Sequence, residues 1–374
     1  MMKAKPTGLY VHIPFCLKKC AYCDFCSFIN ADFPQKAEYI DALCAEISGY
    51  KDKEITLDTI FFGGGTPSLL TGEEFSKIMR SIRESFSLSD GLEFTVEANP
   101  KTLTTEKLRV YMSEGVNRLS MGLQSANSNE LAALGRIHTY EEFVESYTLA
   151  REAGIKNLNV DLMYGIPEQT MDSFRYTLEA VCALAPEHIS VYGLILEEGT
   201  PLYKSVDKYR MPTEDAECDM YYLAADYLRD KEYSHYEISN YAKEGLECRH
   251  NLKYWKCDEY IGVGLAAYSY FGGKRYGNTA EKDEYLSQNG DITIYEEEST
   301  LESEAYEFVM LGLRLSEGIS LSEYKARFGR DFLDGREEKI KSFFELGYIS
   351  LSEDRISLTE RGFYVSNSIL NSLI

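Results

Sequence analysis

The chain has 374 residues, of which 44% are hydrophobic and 13% aromatic, and its formal net charge is −22. This length suffices for one barrel plus an appended domain. The acidity argues against extensive contact with nucleic-acid phosphates, which requires a basic surface. No run approaches eighteen apolar residues, so no membrane span is expected. Nine cysteines without a recognisable export signal point to the cytoplasm, where thiolates bind metals rather than pair.

The first half of the chain alternates between short apolar segments and amphipathic segments. Strands are predicted at residues 8–13, 58–62, 93–97, 118–121, 157–163 and 188–194. Helices are predicted between them, at 37–50, 72–86, 105–113, 129–134, 140–153 and 171–184. This alternation requires parallel strands joined by crossover helices. We therefore predict an α/β fold with a partial (β/α)6 barrel in residues 1–200; a doubly wound sheet is disfavoured because no G-x-G-x-x-G follows the first strand.

The pattern changes after Pro201. Residues 201–298 are predicted to form a connecting α/β extension, with a helix at 213–230, a strand at 233–238 and a glycine-punctuated apolar run at 259–270. Residues 299–374 contain several helical segments followed by a hairpin at 348–351 and 355–358, which predicts a winged-helix-like domain. Because the chain is acidic, this domain is expected to contact protein or to act as a lid rather than to bind DNA.

A loop directly after the first strand carries closely spaced cysteines. Cys16, Cys20 and Cys23 follow the spacing C-x3-C-x2-C, and Cys26 comes next. Three thiolates on one loop can bind three irons of a 4Fe-4S cluster, which normally takes four cysteines. The fourth iron would then offer an open site to a small chelating molecule. A structural zinc site is the weaker alternative, because no second cysteine pair lies nearby.

Glycine and polar residues follow several of the predicted strands. The segment Gly63-Gly64-Gly65-Thr66-Pro67-Ser68 offers bare backbone amides that a ligand's carboxylate or amine can approach closely, although a tight strand-to-helix turn is the simpler interpretation. Four polar residues lie at or after successive strand ends, where a β/α barrel places its chemistry: Glu97, Gln124, Arg136 and Asp161. Acids at these positions suit ribose hydroxyls or an amine, and Arg136 suits a carboxylate.

The cysteine spacing, with the strand before it and the aromatic residue before the third cysteine, resembles the radical S-adenosylmethionine (SAM) superfamily. In that superfamily the amino and carboxylate groups of SAM fill the open iron site. Further motifs narrow the resemblance to the HemW family, the heme chaperones related to oxygen-independent coproporphyrinogen III dehydrogenase, over nearly the whole chain. These motifs include Tyr10-Val-His-Ile-Pro14, Gly115-Val-Asn-Arg-Leu-Ser120, Leu134-Gly-Arg-Ile-His138, Asp161-Leu-Met-Tyr-Gly-Ile-Pro167, Gly199-Thr-Pro-Leu-Tyr203, Tyr236-Glu-Ile-Ser-Asn240 and Arg249-His-Asn-x-x-Tyr-Trp255.

The resemblance implies a radical SAM barrel, a 4Fe-4S cluster on Cys16, Cys20 and Cys23, bound SAM and bound heme. The residues that it implies in contact with SAM are Tyr10, Gly64, Gly65, Thr66, Glu97, Gln124, Arg136 and Asp161, with Tyr22 beside it. It also implies a heme-acceptor protein, such as a membrane respiratory protein, and an electron donor for the cluster. No nucleic-acid partner is expected.

The resemblance also implies a role for His250, which stands in a segment matching the HNxxYW signature of the chaperones. An imidazole can ligate heme iron, and neighbouring aromatic rings can pack against a porphyrin face. The alternatives are a histidine satisfied by backbone bonds inside a turn, or a zinc site formed with Cys248 and Cys257.

One position distinguishes this chain from the dehydrogenases, and two others depart from the chaperone pattern. The dehydrogenases carry a fourth cysteine where Phe25 stands, which favours a heme chaperone over the alternative, a dehydrogenase that oxidatively decarboxylates coproporphyrinogen III. The chaperones usually carry asparagine where Cys26 stands and commonly histidine where Tyr268 stands. Heme ligation at position 268 is therefore not expected, and three thiolates already complete the cluster site without Cys26.

Overall fold

The computed structural model describes residues 6–29, 35–287 and 292–373. The elements of the first 200 residues, in chain order, are β1 (Thr7–Ile13), β2 (Phe15–Cys16), β3 (Phe28–Ile29), α1 (Lys36–Ser48), β4 (Thr56–Gly64), α2 (Gly72–Ser85), β5 (Ser87–Ala98), α3 (Thr105–Ser113), β6 (Arg118–Gln124), α4 (Ser128–Ala133), α5 (Tyr140–Glu152), β7 (Asn157–Tyr164), α6 (Met171–Ala183) and β8 (His188–Gly193).

The remaining elements begin at Glu214. They are α7 (Glu214–Asp230), β9 (Ser234–Glu237), β10 (Asn240–Ala242), α8 (Arg249–Trp255), β11 (Tyr260–Val263), β12 (Tyr268–Phe271), β13 (Lys274–Asn278), α9 (Lys282–Ser287), β14 (Thr293–Glu298), α10 (Leu301–Gly312), β15 (Ile319–Ser320), α11 (Leu321–Phe328), α12 (Glu337–Glu345), β16 (Ile349–Leu351), β17 (Arg355–Leu358), α13 (Glu360–Tyr364) and α14 (Ser366–Leu373).

The predicted partial barrel is confirmed. Strands β1, β4, β5, β6, β7 and β8 are neighbours in that order and all pair in parallel. Five of the six barrel strands are longer than predicted, and β6 continues to Gln124 rather than ending at Met121, whereas β8 ends at Gly193, one residue earlier than predicted. The sheet also extends beyond the six strands: β11 adds in parallel beside β1, and β10 adds antiparallel beside β8.

Threonine side chains set the starts of the barrel helices. Thr71, Thr104, Thr139 and Thr170 each accept a hydrogen bond from a backbone amide three residues later, at the starts of α2, α3, α5 and α6. Such an N-cap satisfies an amide that lacks a helical partner and stabilises a helix by about 1 kcal/mol. These caps fix where each crossover helix begins after its strand.

The two faces of β6 have different roles. In β6 the apolar side chains of Leu119, Met121 and Leu123 are fully buried in the main core of the protein. The alternate residues line a cavity inside the barrel: Arg118, Ser120, Gly122 and Gln124. The period of two along a strand therefore separates the packing residues from the residues available for chemistry.

The last part of the chain has its own hydrophobic core and a small antiparallel sheet of order β15-β17-β16. The predicted hairpin is confirmed as β16 and β17, and α10, α11 and α12 precede it. The winged-helix likeness and the domain boundaries at residues 200 and 298 stay predictions. Within the described ranges, no helix combines the length and apolar character needed to cross a membrane.

Candidate functional site

A cavity of about 470 Å³ opens inside the barrel, where its strands reach the cysteine loop. All thirteen residues predicted to bind the cluster, SAM or heme line this one cavity: Tyr10, Cys16, Cys20, Tyr22, Cys23, Gly64, Gly65, Thr66, Glu97, Gln124, Arg136, Asp161 and His250. The structure therefore brings together residues that lie up to 240 positions apart in the sequence. Their individual roles toward ligands stay predictions.

The cysteine loop is held at the cavity by backbone hydrogen bonds. The amide of Ala21 donates to the carbonyl of Leu134 at 2.9 Å, and the amide of Leu202 donates to the carbonyl of Ala21 at 2.8 Å. Burial raises the pKa of the Cys16 and Cys23 thiols in the ligand-free protein. A thiolate on this loop therefore needs a positive partner, which the irons of a cluster supply.

The zinc alternatives gain no support from the described residues. In residues 6–29, 35–287 and 292–373, no three Cys, His, Asp or Glu side chains lie in positions from which they could hold one metal ion. Cys248 donates from its Sγ to a Glu93 carboxylate oxygen at 3.7 Å instead. A 4Fe-4S cluster makes a different demand, because each cysteine binds its own iron.

The glycine-rich loop at the end of β4 is a close-packed turn. Gly64 has a φ of +110°, and a Cβ there would lie 2.5 Å from His12 Cε1. A Cβ on Gly65 would lie 2.7 Å from the carbonyl oxygen of Phe15. Thr66, the next residue, donates from its hydroxyl to Cys16 Sγ at 3.8 Å. Glycine is required here so that the loop can lie against the cysteine loop.

Arg136 connects the cysteine loop to the strand ends. Its guanidinium donates to Cys20 Sγ at 3.4 Å, to Asn99 Oδ1 at 2.8 Å and to the carbonyl of Gly122. Asn99 also donates from its amide nitrogen to Thr66 Oγ1 at 2.8 Å. Asn99 lines the cavity but was missed as a site residue, although its place directly after β5 is the signal that identified the other strand-end residues.

Two acids approach each other across the cavity. Asp161 accepts hydrogen bonds from Ser120 Oγ at 3.2 Å and from Asn159 Nδ2 at 2.7 Å. Glu97 accepts from the amide of Gly64 at 3.2 Å. Burial, together with the negative charge of Asp161, raises the pKa of Glu97 to about 8. The pair therefore favours a cationic ligand, which would restore the ionised form of Glu97.

We expect the raised pKa of Glu97 to make the ligand-free protein less stable as pH rises. An acid whose pKa is higher in the folded state gives stability that is complete below its unfolded value of 4.5 and is lost as pH rises through about 8. Glu97→Gln should remove this loss. Allowing for water in the cavity, its free energy of unfolding should exceed that of wild type by about 2 kcal/mol at pH 9, with little difference at pH 5. Urea unfolding across this range measures the difference, and parallel pH curves would contradict the expectation.

His250 lies on α8 with both ring nitrogens already engaged. Its Nδ1 shares a hydrogen bond of 2.8 Å with the Thr59 hydroxyl, and its Nε2 shares one of 2.8 Å with the Tyr254 hydroxyl. The ring is 1% exposed, stacks on Phe61, and burial lowers its pKa to about 3. Side chains rather than backbone groups thus satisfy this histidine. Ligation of iron by Nε2 requires Tyr254 to release it.

A second cavity of about 420 Å³ adjoins the first and shares Tyr10, Phe25, Gly64, Glu97 and Tyr254 with it. Its further lining residues include both positions at which the chain departs from the chaperone pattern, Cys26 and Tyr268. Phe25 is 68% exposed and Tyr268 is 55% exposed. An aromatic wall of this kind is suited to packing against a flat apolar ligand.

Sequence comparisons define the class of protein that carries this site. The radical SAM superfamily matches residues 10–181, and the HemN C-terminal domain matches residues 300–365. Among solved structures, the coproporphyrinogen III oxidase HemN of Escherichia coli, described as a radical SAM enzyme, superposes with a TM-score of 0.87 at 25% identity. This match covers 99% of the chain and 90% of that enzyme. The chain is thus a radical SAM protein with a HemN-like C-terminal extension.

Curated relatives named heme chaperone HemW match over the full length. The Bacillus subtilis protein is 37% identical over 98% of both chains. The Lactococcus lactis protein is 34% identical over 100% of this chain and 98% of its own. The Escherichia coli protein is 33% identical over 99% of this chain and 98% of its own. The chain therefore belongs to the HemW family of heme chaperones, and the resemblance inferred from its motifs is confirmed.

Proposed function

We propose that this protein binds heme and transfers it to an acceptor protein, using a barrel that also holds a 4Fe-4S cluster and SAM. The observation that carries the proposal is the full-length relation to proteins named heme chaperone HemW, at 31–37% identity. Phe25 agrees with it, because it stands where the dehydrogenases carry a fourth cysteine. The proposed compartment is the cytoplasm, where the nine unpaired cysteines stay reduced.

The residues around the first cavity fit the cluster and SAM. Cys16, Cys20 and Cys23 would hold three irons, and the cluster would supply a single-electron donor and an open iron site. Around it, Arg136 positions Cys20, and Glu97 and Asp161 provide acceptors for ribose hydroxyls or an amine. The other proposed SAM contacts are Tyr10, Tyr22, Gly64, Gly65, Thr66 and Gln124.

We place the heme at the border of the two cavities. Tyr254 lines both of them and holds His250 by its hydroxyl. The exposed rings of Phe25 and Tyr268 would pack against the porphyrin, and His250 would ligate the iron once Tyr254 turns away. An open, aromatic site suits a protein that must release its heme to an acceptor. We propose a membrane respiratory protein as that acceptor.

A second function has one specific observation in its favour. The structural likeness to a coproporphyrinogen III oxidase, at a TM-score of 0.87, is compatible with reductive cleavage of SAM and oxidation of a porphyrinogen propionate. An electron donor to the cluster, and an acceptor for the electron released as the propionate loses CO2, would then be required in turnover. Both functions share the cysteines and the SAM residues, so those residues cannot separate them.

Two assays run on the same anaerobically reconstituted protein distinguish these functions. Titration with hemin should give a saturable Soret band, and incubation with a heme-free acceptor membrane protein should move that band to the acceptor. Incubation with coproporphyrinogen III, SAM and reductant should yield no decarboxylated product. If the protein decarboxylates coproporphyrinogen III and takes up no heme, the proposed chaperone function is wrong and the enzymatic function takes its place.

Variants of the two hydrogen-bonded residues test the heme ligand. His250→Ala should weaken hemin binding and shift the Soret band, because the iron loses its imidazole. Tyr254→Phe is the matched variant: it removes only the hydroxyl that occupies Nε2, so hemin should bind at least as tightly as to wild type. Cys26→Ala reports whether a thiolate contributes. If wild type and His250→Ala give equal Soret spectra, His250 is not the ligand of the heme iron. The proposed chaperone function would be unaffected by that result.

A further inference from the structure

A chain of contacts connects the His250–Tyr254 hydrogen bond to the C-terminal part of the protein. The Tyr254 hydroxyl occupies His250 Nε2 at 2.8 Å. The ring of Tyr260, the first residue of β11, packs edge-on against the Tyr254 ring, with 4.6 Å between the ring centroids. Both tyrosines line the second cavity. Tyr260 therefore packs against the ring that must move before His250 Nε2 can bind iron.

Tyr260 is connected in turn to an ion pair between the sheet and α10. Arg275, on β13, donates from Nη1 to the Tyr260 hydroxyl at 3.4 Å. The same guanidinium donates to both carboxylate oxygens of Glu307, from Nε at 2.6 Å and from Nη2 at 2.7 Å. This bidentate arrangement is the geometry in which an arginine and a carboxylate bind most strongly and with a fixed orientation. One nitrogen of Arg275 is thus directed to Tyr260 and two are directed to α10.

The surroundings of this ion pair favour a fixed geometry. The side chains of Arg275 and Glu307 are only 24% and 21% exposed. The guanidinium also lies 4.5 Å from the ring centroid of Tyr270, which stands opposite Arg275 in register on β12. The preceding residue of β13 differs, because Lys274 pairs with Glu296 at side-chain exposures of 42% and 52%. Exposed pairs such as the latter contribute little, whereas a half-buried pair packed on an aromatic ring orients the guanidinium.

The ion pair also joins two parts of the chain that have separate places in the fold. Glu307 lies on α10, within the segment that matches the HemN C-terminal domain, whereas His250 and Tyr254 lie on α8. The described lining residues of the two cavities lie at positions 10–268. An effect of α10 on the heme site therefore passes through intervening side chains, and Arg275 and Tyr260 supply a continuous series of contacts.

We propose that the Arg275–Glu307 pair is a positioning element that holds Tyr254 on His250, so that the C-terminal segment sets when the imidazole becomes available. While the pair is closed, Tyr260 keeps the Tyr254 ring in place and the hydroxyl keeps Nε2 occupied. When the pair opens, Tyr260 loses its bond to the guanidinium, Tyr254 turns and Nε2 is freed. The binding of heme iron by the freed imidazole rests on the proposed function, whereas the hold on Tyr254 does not.

The first test measures access to His250 without heme. Diethyl pyrocarbonate modifies neutral imidazoles, and burial lowers the pKa of His250 to about 3, so this ring is neutral at pH 7. Peptide mass spectrometry of the full-length, anaerobically reconstituted protein gives the rate of modification at His250. Glu307→Gln keeps the shape of the side chain but removes its charge, and Arg275→Met removes the guanidinium. Both should raise the rate by roughly threefold or more, because residues in one network are energetically coupled.

Two further variants make this result specific. Lys274→Met is the matched control, since it breaks an ion pair on the same strand and should leave the rate at the wild-type value. Tyr254→Phe removes the hydroxyl that occupies Nε2 and should raise the rate by itself. Adding Glu307→Gln to Tyr254→Phe should give no further increase, because the pair acts through that hydroxyl. Should Arg275→Met fail to fold, Glu307→Gln carries the same comparison.

The second test mixes the same variants with hemin and follows the Soret band by stopped flow. Glu307→Gln should bind hemin faster than wild type, and this gain should disappear in the Tyr254→Phe background. If wild type binds no hemin, the proposed function is wrong, and modification of His250 still decides the role of the pair. If Glu307→Gln leaves that modification unchanged, or raises it equally with and without the Tyr254 hydroxyl, the pair only joins β13 to α10 and the proposal is wrong.

Discussion

Replacing any one of Cys16, Cys20 or Cys23 with Ala is expected to abolish the broad charge-transfer absorption of the anaerobically reconstituted protein. Each of these thiols lines the first cavity, and each is needed for a separate iron. No neighbouring side chain replaces the lost ligand, because Thr66 and Arg136 act as hydrogen-bond donors to the loop sulfurs. Absorption spectra together with iron and sulfide content per chain measure the effect.

Cys26→Ala is the matched control for this experiment. Cys26 belongs to the same loop, but it lines the second cavity and not the first. Its carbonyl accepts a hydrogen bond from His12 Nε2 at 2.8 Å, and this bond is kept in the variant. Cluster content should therefore stay close to wild type. A loss equal to that of the other three variants would make Cys26 a cluster ligand.

The barrel could be predicted from sequence because its signals are local. Alternation of apolar and amphipathic segments marks the β/α units, and residues such as Thr71 and Thr139 mark helix starts within a few positions. Parallel strands then place their carboxyl ends at one edge, so Glu97 and Asp161 were expected to face one ligand. The common cavity follows from this topology.

Contacts between distant segments carry no such signal. Strand β11 pairs with β1 across about 250 positions, so nothing local identified it as a neighbour of the barrel. The same applies to His250, whose Nδ1 bonds to Thr59 on β4. The HNxxYW pattern identifies the segment, but only the fold shows that both nitrogens of the ring are taken.

Arg118 lay between these two cases. The predicted strand began at this residue, and the period of two places it on the same face as Gln124, a residue already assigned to the site. The sequence analysis considered only the carboxyl ends of the strands, and Arg118 was missed because it is the first residue of β6. Continuing the alternation down each strand would have revealed a cation inside the barrel.

The second large effect is expected for SAM binding. Asp161→Asn keeps the shape of the side chain but removes the charge that Ser120 and Asn159 orient. Hydrogen bonds to a charged group contribute about 1.5–3 kcal/mol, so affinity should fall by roughly 10- to 150-fold. Iron content should stay unchanged, because Asp161 lies on β7 and the thiolates lie on a separate loop. Calorimetric titration of the reconstituted protein measures the affinity.

Two further variants define where SAM lies. Glu97→Gln and Arg136→Met change the other sides of the proposed site, whereas Asp41→Asn on the exposed face of α1 serves as a control that should bind SAM normally. Arg136→Met also removes the donor to Cys20, so its loss of affinity counts only if the cluster is retained. If Asp161→Asn, Glu97→Gln and Arg136→Met all bind SAM with the affinity of wild type, SAM does not bind at the strand ends.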